Sequence, residues 1–558
     1  MYSKALGIAI RSLQLALACT VMACGILAKA QTYTAVYSYG SHTGDPKNPQ
    51  PSGLIAQGRD GNLYSTAPLG GATGGGGAFD ITTSGSLTKL FDFASNEAGV
   101  GGLTLGLDGN FYGTTSGGGT SNVGTVFKMT PTGQRTTLWN FTSFDDGANP
   151  SVAPLLGADG NFYGTNPDDR VGDYGLVYKI TPTGSLTVLG DFNYTNGNSP
   201  NLPVQGFDRN FYGTARFGGS STNCTNGCGV VYKLTSSGNI TVLHNFTGFP
   251  TDGYQPIGAL VQANNGTLYG TTYQGGANNQ GTVFKITPSG TYTLLYSFHD
   301  VAGSDGLNPW TGLAVGIDGN LYGTAQGGTH GGGVLFQITP SGTETILYNF
   351  CSLSGCADGF FPQTPIMQHT NGKFYGSVES GGVNGLNGGV FYSLDMGLRP
   401  FAKLVNWQGA IGKTVEILGQ GFSGTTKVSF NGTPTTFSVI SDTYLTATVP
   451  AAAVSGFVNI TTPTGTLASN RKFFVLPSIS SFTPTSGPIG TAVTITGNNL
   501  KGTTSVSFGG VKATSFSVTS DTQVTATVPT GAVTGKIQVA TAGGTATSTG
   551  IFTVTSAE

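Results

Sequence analysis

From residue 268 to residue 298 the chain reads L-Y-G-T-T-Y-Q-G-G-A-N-N-Q-G-T-V-F-K-I-T-P-S-G-T-Y-T-L-L-Y-S-F, three short runs in which aromatic and β-branched residues alternate with small polar ones. That alternation is the pattern of half-buried β-strands. Turn residues bound each run: Gly275-Gly276 with Gly281, then Pro288-Ser289-Gly290. In the second turn Pro presets φ and Gly takes the positive-φ position that follows, so the chain reverses tightly. A fourth strand at 259–262 precedes the block across Asn264-Asn265-Gly266. Four antiparallel strands on short turns make one sheet.

The unit recurs. The tyrosine of Y-G-T-T and its variants falls at Tyr64, Tyr112, Tyr163, Tyr212, Tyr269, Tyr322 and Tyr375, 48 to 57 residues apart. The third strand returns with it, beginning at Ala78, Val126, Val177, Val231, Val283, Leu335 and Val390. Seven four-stranded units with a period near fifty predict a seven-bladed β-propeller, because one such sheet cannot cover both its faces and a ring covers each with its neighbours. The fourth strand ends L-F-D-F at Leu90, L-W-N-F at Leu138 and L-Y-N-F at Leu347, while V-Y-S-Y at Val36–Tyr39 stands alone ahead of the first unit. The strand at 33–39 is therefore expected to complete the last blade and close the ring.

Residues 1–30 read as a signal peptide: Lys4 and Arg11 precede an apolar run from Leu13 to Leu27, and Ala28-Lys29-Ala30 offers a cleavage site before Gln31. The apolar run is shorter than the ~20 residues a membrane-spanning helix needs, and Val21-Met22-Ala23 before Cys24 is a poor lipobox. A secreted or cell-surface location follows. Glycine supplies 91 of 558 residues and charged residues only 9%, as many tight turns and half-exposed strands require. The net charge of −2 gives no footprint for nucleic acid, and no stretch after the signal calls for membrane insertion. Cys224 with Cys228 and Cys351 with Cys356 are expected as two local disulfides in an oxidising compartment, with zinc as the alternative reading. A monomer is expected.

Past Leu398 two copies of another unit follow, with Phe430 and Phe508 78 residues apart and Pro450 and Pro529 79 apart. Short alternating strands in a unit of this length predict two β-sandwiches, at 398–476 and 477–558, packed around Val428, Phe430, Leu445 and Val449, and around Val506, Phe508, Val524 and Val528. The propeller is expected over 31–397. Its repeats, by D-G-N-L-Y-G-T at 318–324 and G-T-V-F-K-I-T-P-S-G at 281–290, resemble the GloVer-type tandem repeats of bacterial exported proteins. The C-terminal units look like IPT/TIG domains, which implies immunoglobulin-like modules of cell-surface proteins. Neither resemblance implies an activity or catalytic residues.

With the first strand of each unit innermost, the loops between strands two and three and those between blades gather on one face, the expected binding surface. The segments expected to line the channel, at 54–57, 103–106, 154–157, 202–205, 259–262, 313–316 and 365–368, hold no Asp, Glu, His, Lys or Arg. A propeller hydrolase or lyase needs an acid and a base there, so a catalytic site is not expected. Asp60, Asp108, Asp159, Asp208 and Asp318 before G-N or R-N read as hairpin turns. Asp146, Asp252, Asp305 and Asp358 before Gly read as acceptors for turn amides, with weak calcium binding as the alternative and no other cofactor expected.

Two departures from the repeat mark candidate ligand-binding residues. N-P-D-D-R-V-G-D-Y-G at 166–175 places Asp168, Asp169, Asp173 and Tyr174 in one loop, and Trp310, Tyr254, Tyr273, Phe217, Phe360 and Phe361 fall on loops of the same face. Flat aromatic surfaces beside polar side chains suit sugar rings. The chain thus reads as an exported, non-catalytic surface or matrix protein whose looped face binds a glycan or surface protein, with the sandwiches as spacers. Its rivals are an extracellular carbohydrate-active hydrolase or lyase using Asp168, Asp169 or Asp173, and a purely structural protein.

Overall fold

The computed structural model describes residues 31–556, apart from 50–52, 100, 143–144, 168–173, 300–304 and 384–386. The fold is all-β: a propeller followed by two immunoglobulin-like sandwiches. Among the described residues no helix is long and apolar enough to cross a membrane.

Each repeat forms one antiparallel sheet, as in Ala56–Gln57, Leu63–Ala67, Gly77–Ile81 and Leu87–Asp92. Seven such sheets occur among the described residues before the sandwiches. Burial follows strand order: second strands such as Phe111–Thr115 are buried throughout, whereas outer strands such as Arg135–Asn140 are half exposed. The second strand is covered on both faces because the alternation of the repeat sends Tyr to one neighbour and Phe or Leu to the other. Tyr64 lies on Phe111 at 4.0 Å, Tyr112 on Phe162 at 3.8 Å, and Tyr322 on Phe374 at 4.1 Å between centroids. Each contact joins consecutive sheets, and each buried ring contributes on the order of 2 kcal/mol.

The glycine of Y-G-T has a packing reason. The aromatic of the third strand lies across it, so that a Cβ at Gly113 would meet the Phe127 ring at 2.6 Å and one at Gly270 the Phe284 ring at 2.6 Å. At the P-S-G turn, Gly290 takes φ +96°, which a side chain would resist.

The strand Thr32–Ser38 pairs antiparallel with Val390–Asp395 as the outermost strand of the last sheet. Tyr33 stacks on Tyr348 at 3.8 Å, and the Tyr39 hydroxyl meets Ser377 Oγ at 3.0 Å. Leu63, Phe79 and Ile81 of the first sheet pack with Tyr375 and Phe391 of the last, so the two ends of the repeat array share one apolar seam. The cysteines form two disulfides, Cys224–Cys228 and Cys351–Cys356.

In the first sandwich Val428, Phe430, Leu445 and Val449 are buried with Trp407, and in the second Val506, Phe508, Val524 and Val528 are buried with Phe552. The first sandwich does not stand off as a spacer. It docks on the face that carries the D-G-N turns, with Arg59 on Glu416 at 2.7 Å, Gln408 Nε2 donating to Ala158 O at 2.9 Å, Asn264 Nδ2 to Asn470 O at 2.9 Å and Gln420 Nε2 to Thr370 Oγ1 at 3.0 Å. Phe207 joins the sandwich core, 5.1 Å from Phe474. The second sandwich meets the ring through Arg209 Nη2, which donates to Gly543 O at 2.7 Å.

Candidate functional site

Two cavities are lined by residues of the innermost strands and the segments before them. On the looped face a cavity of about 450 Å³ is lined by Leu54, Pro200, Leu202, Leu260, Trp310 and Leu313, with Arg216 in its wall. On the opposite side a cavity of about 290 Å³ lies between the innermost strands and the first sandwich, and Leu54 lines it as well. The two occupy successive levels of one channel. Its walls are apolar because the innermost strands supply Leu, Ile, Val and Ala there.

The aromatic candidates do not form one patch. Tyr273 and Trp310 meet edge to face at 4.8 Å. Tyr254 is paired with Gln274, beside Tyr273, and burial with the nearby Tyr273 raises its phenol pKa. Phe217 lies under the Arg216 guanidinium at 4.9 Å. These four side chains and Arg216 belong to the fourth, fifth and sixth repeats, and of them Trp310 and Arg216 line the cavity on the looped face. Phe360 packs instead on the exposed Phe361 at 4.9 Å, and Tyr174 on Tyr194 at 6.2 Å and into the seam between the third and fourth sheets. Tyr254 is also partly taken up by a seam, against Phe246 and Leu260. Asp168, Asp169 and Asp173 lie outside the described residues.

The recurring aspartates act as acceptors. Asp108 Oδ2 accepts from the Tyr112 hydroxyl at 2.9 Å and its Oδ1 from the Asn110 amide at 3.1 Å, and Asp159, Asp208 and Asp318 repeat both bonds. The second series ties each outer strand to the next loop: Trp139 Nε1 donates to Asp146 at 3.0 Å, Tyr296 to Asp305 at 2.6 Å and Tyr348 to Asp358 at 2.7 Å. Asp252 receives His244 Nε2, the Tyr292 hydroxyl and two backbone amides. Burial raises its pKa, but the bonds from His244 and Tyr292 outweigh that and hold the carboxyl below its ordinary range. With their lone pairs so occupied these carboxylates are poorly placed to take calcium. Among the described residues no group of three or more His, Cys, Asp or Glu could hold a metal. A raised carboxyl does occur: burial, with Asp305 adding, pushes Glu344 up to about 7, but it sits on an outermost strand rather than over the channel.

Three cations escaped the sequence reading. Arg216 lies near the end of the second strand of its repeat, Phe211–Phe217, at the position where other repeats place Pro68, Ser116, Pro167, Tyr273, Gln326 and Glu379. Comparing the repeats at that register would have singled it out. Lys403 and Arg471 come from the first sandwich and line the lower cavity, so the hub is chargeless only in its own strands. Nothing periodic in the sequence pointed to them.

A family model described as the Gloeobacter/Verrucomicrobia repeat matches residues 21–166 and 151–392, and IPT/TIG domain models match 401–474 and 477–555. No curated protein matches the chain. Among solved structures, a streptogramin B lyase is 14% identical, with 66% of this chain and 98% of that chain covered and a TM-score of 0.44. The virginiamycin B lyase of Staphylococcus aureus is 17% identical over 65% of this chain and 99% of that one, at a TM-score of 0.45. A surface glycan-binding protein of Prevotella bryantii is 19% identical over 26% of this chain and 38% of that one, at a TM-score of 0.20.

Proposed function

Because the chain belongs to the Gloeobacter/Verrucomicrobia repeat family and carries two IPT/TIG domains, we propose that it is an exported, non-catalytic surface or matrix protein whose looped face binds a glycan or a surface protein. We divide it into a signal peptide at 1–30, a propeller at 31–397 and sandwiches at 398–476 and 477–558. The observation that carries the proposal is the cluster at the mouth. Trp310 and Arg216 line the cavity, Tyr273 meets Trp310 edge to face and Tyr254 lies by Tyr273, all partly exposed, and the channel segments bring no acid or base. Such an arrangement offers rings for stacking and a fixed cation for orientation, which is what recognition needs and what bond cleavage lacks. The two disulfides suit an oxidising, extracellular setting. The first sandwich is a buttress for the ring as well as a link to the second.

The test is a glycan array probed with the full chain and with the Trp310→Ala, Tyr254→Ala double variant. Loss of binding in the variant supports the mouth as the recognition face. Undiminished binding places recognition elsewhere. Release of reducing sugar from a polysaccharide, abolished by Asp169→Ala, would replace this reading with a hydrolase.

A further inference from the structure

We infer that the lower cavity is a binding site for a small organic anion with an apolar body, a carboxylate seated on Lys403 and Arg471. Nothing in the looped-face reading requires this site, and it uses different residues.

The walls come from the ring: Leu54, Ile55, Leu103, Leu105, Leu155 and Val204. The floor comes from the first sandwich, whose strand Lys403–Leu404 and whose residue Arg471 close the channel on the side away from the loops. Both cations line the cavity and are largely covered by protein, each keeping some exposure. Arg471 is held by aromatic faces, its guanidinium 4.7 Å from the Trp407 centroid and 5.5 Å from that of Phe207. Stacking fixes its plane and leaves its N–H groups to other acceptors. Among the described residues neither side chain makes an ion pair or hydrogen bond. The polar neighbours are already engaged: Gln57 exchanges bonds with Thr370, and Gln205 binds the Ala158 amide and Arg209 O.

Two cations with no counter-ion, facing an apolar space, are costly for a fold that could have placed leucines there. Burial pulls the Lys403 ammonium down to about 8 and the Arg471 guanidinium to about 10. A bound carboxylate would neutralise that strain, and a hydrocarbon or aromatic body would fill the leucine-lined space above it. At about 290 Å³ the cavity suits a ligand of modest size. Leu54 lines this cavity and the one on the looped face.

The experiment is titration calorimetry of the full chain with octanoate, 1-octanol and inorganic phosphate. Octanoate should bind, and octanol and phosphate should bind at least tenfold more weakly. Lys403→Met and Arg471→Met should each weaken octanoate at least tenfold while raising the melting temperature of the ligand-free protein, because an unpaired charge has gone. Should either variant fail to fold, the unmodified chain decides: octanoate affinity should fall from pH 7 to pH 9.5 as Lys403, and towards the upper end Arg471, loses its proton, while His369, which feels the Lys403 charge, stays neutral throughout. Absence of octanoate binding, equal binding of octanol, tighter binding of phosphate, or an affinity indifferent to pH and to both substitutions overturns the inference. A chain that takes octanoate but no glycan supports this site and removes the glycan form of the looped-face reading; a chain that takes glycan but no octanoate supports that reading and overturns this site.

Discussion

Arg59 in the first turn of the ring grips Glu416 of the first sandwich, its Nη2 within 2.8 Å of both carboxylate oxygens, across 357 residues of chain. The same nitrogen donates to Leu107 O at 2.8 Å, and the guanidinium lies over the Tyr444 ring at 4.8 Å. Burial raises the Glu416 pKa despite Arg59, so the carboxylate depends on its partner. Arg59→Ala should cost about 2 kcal/mol by leaving that carboxylate half buried and unpaired. Glu416→Gln should cost less, since an amide needs no counter-charge. A double-mutant cycle in urea would measure the coupling, and values near zero would show that the contact is only a surface pair.

The strand Thr32–Ser38 is far from its partner Val390–Asp395 in sequence, yet its tyrosines anchor the seam. Deleting 33–39 should lower the melting temperature of the whole ring rather than fray one end, because the last sheet loses its outer strand and the seam its cover. Tyr33→Ala alone should cost about 3 kcal/mol. An unchanged, single melting transition in the deletion variant would refute this.

Asp252→Ala should be more damaging than most loop substitutions. It strands the Tyr292 hydroxyl at 2.7 Å, His244 Nε2 at 3.0 Å and the amides of Thr247 and Gly253 at 3.0 and 2.8 Å. A loss of about 3 kcal/mol is expected. Because these lone pairs are spent on protein donors, added calcium or a chelator should leave the melting temperature where it was. A calcium-dependent rise would return these loops to the list of metal sites.

Acid should loosen the seam between the last and first sheets. His369 is buried, with its Nε2 3.0 Å from Gly61 O and its Nδ1 3.1 Å from the Asn371 amide nitrogen. The ring thus accepts at Nδ1 and donates at Nε2, which is the neutral form. Burial pushes its pKa down to about 4 from 6.5. The unfolded chain therefore takes up this proton first as pH falls. The contribution of the neutral ring is intact above pH 6.5 and declines towards pH 4, by about 3 kcal/mol in all. Asp80, pushed up to about 6 by burial and Asp60, acts in the opposite direction, so the comparison must be with His369→Gln. If both proteins lose stability equally between pH 6.5 and 4, His369 is not the cause.

The sheets were legible because each is assembled from neighbours in sequence. Turn residues, period-two alternation and a repeated Y-G-T are local signals, and the tyrosine that stacks on the next sheet recurs in every copy. The disulfides were legible for the same reason, their cysteines being four and five residues apart. The mouth was read in part. Trp310 and Tyr273 do meet, but Phe360 and Tyr174 are drawn off to other rings, because an aromatic on a loop has no periodicity to say which way it faces.

By itself the chain of residues determined the repeat, the turns, the apolar seams and an innermost strand without charge, since all of these are set by contacts within one unit or between one unit and the next. Only the tertiary structure decided that the first sandwich lies against the ring and sends Lys403 and Arg471 into its hub. That outcome depends on how two finished surfaces fit, and residues separated by hundreds of positions carry no shared pattern from which such a fit could be read.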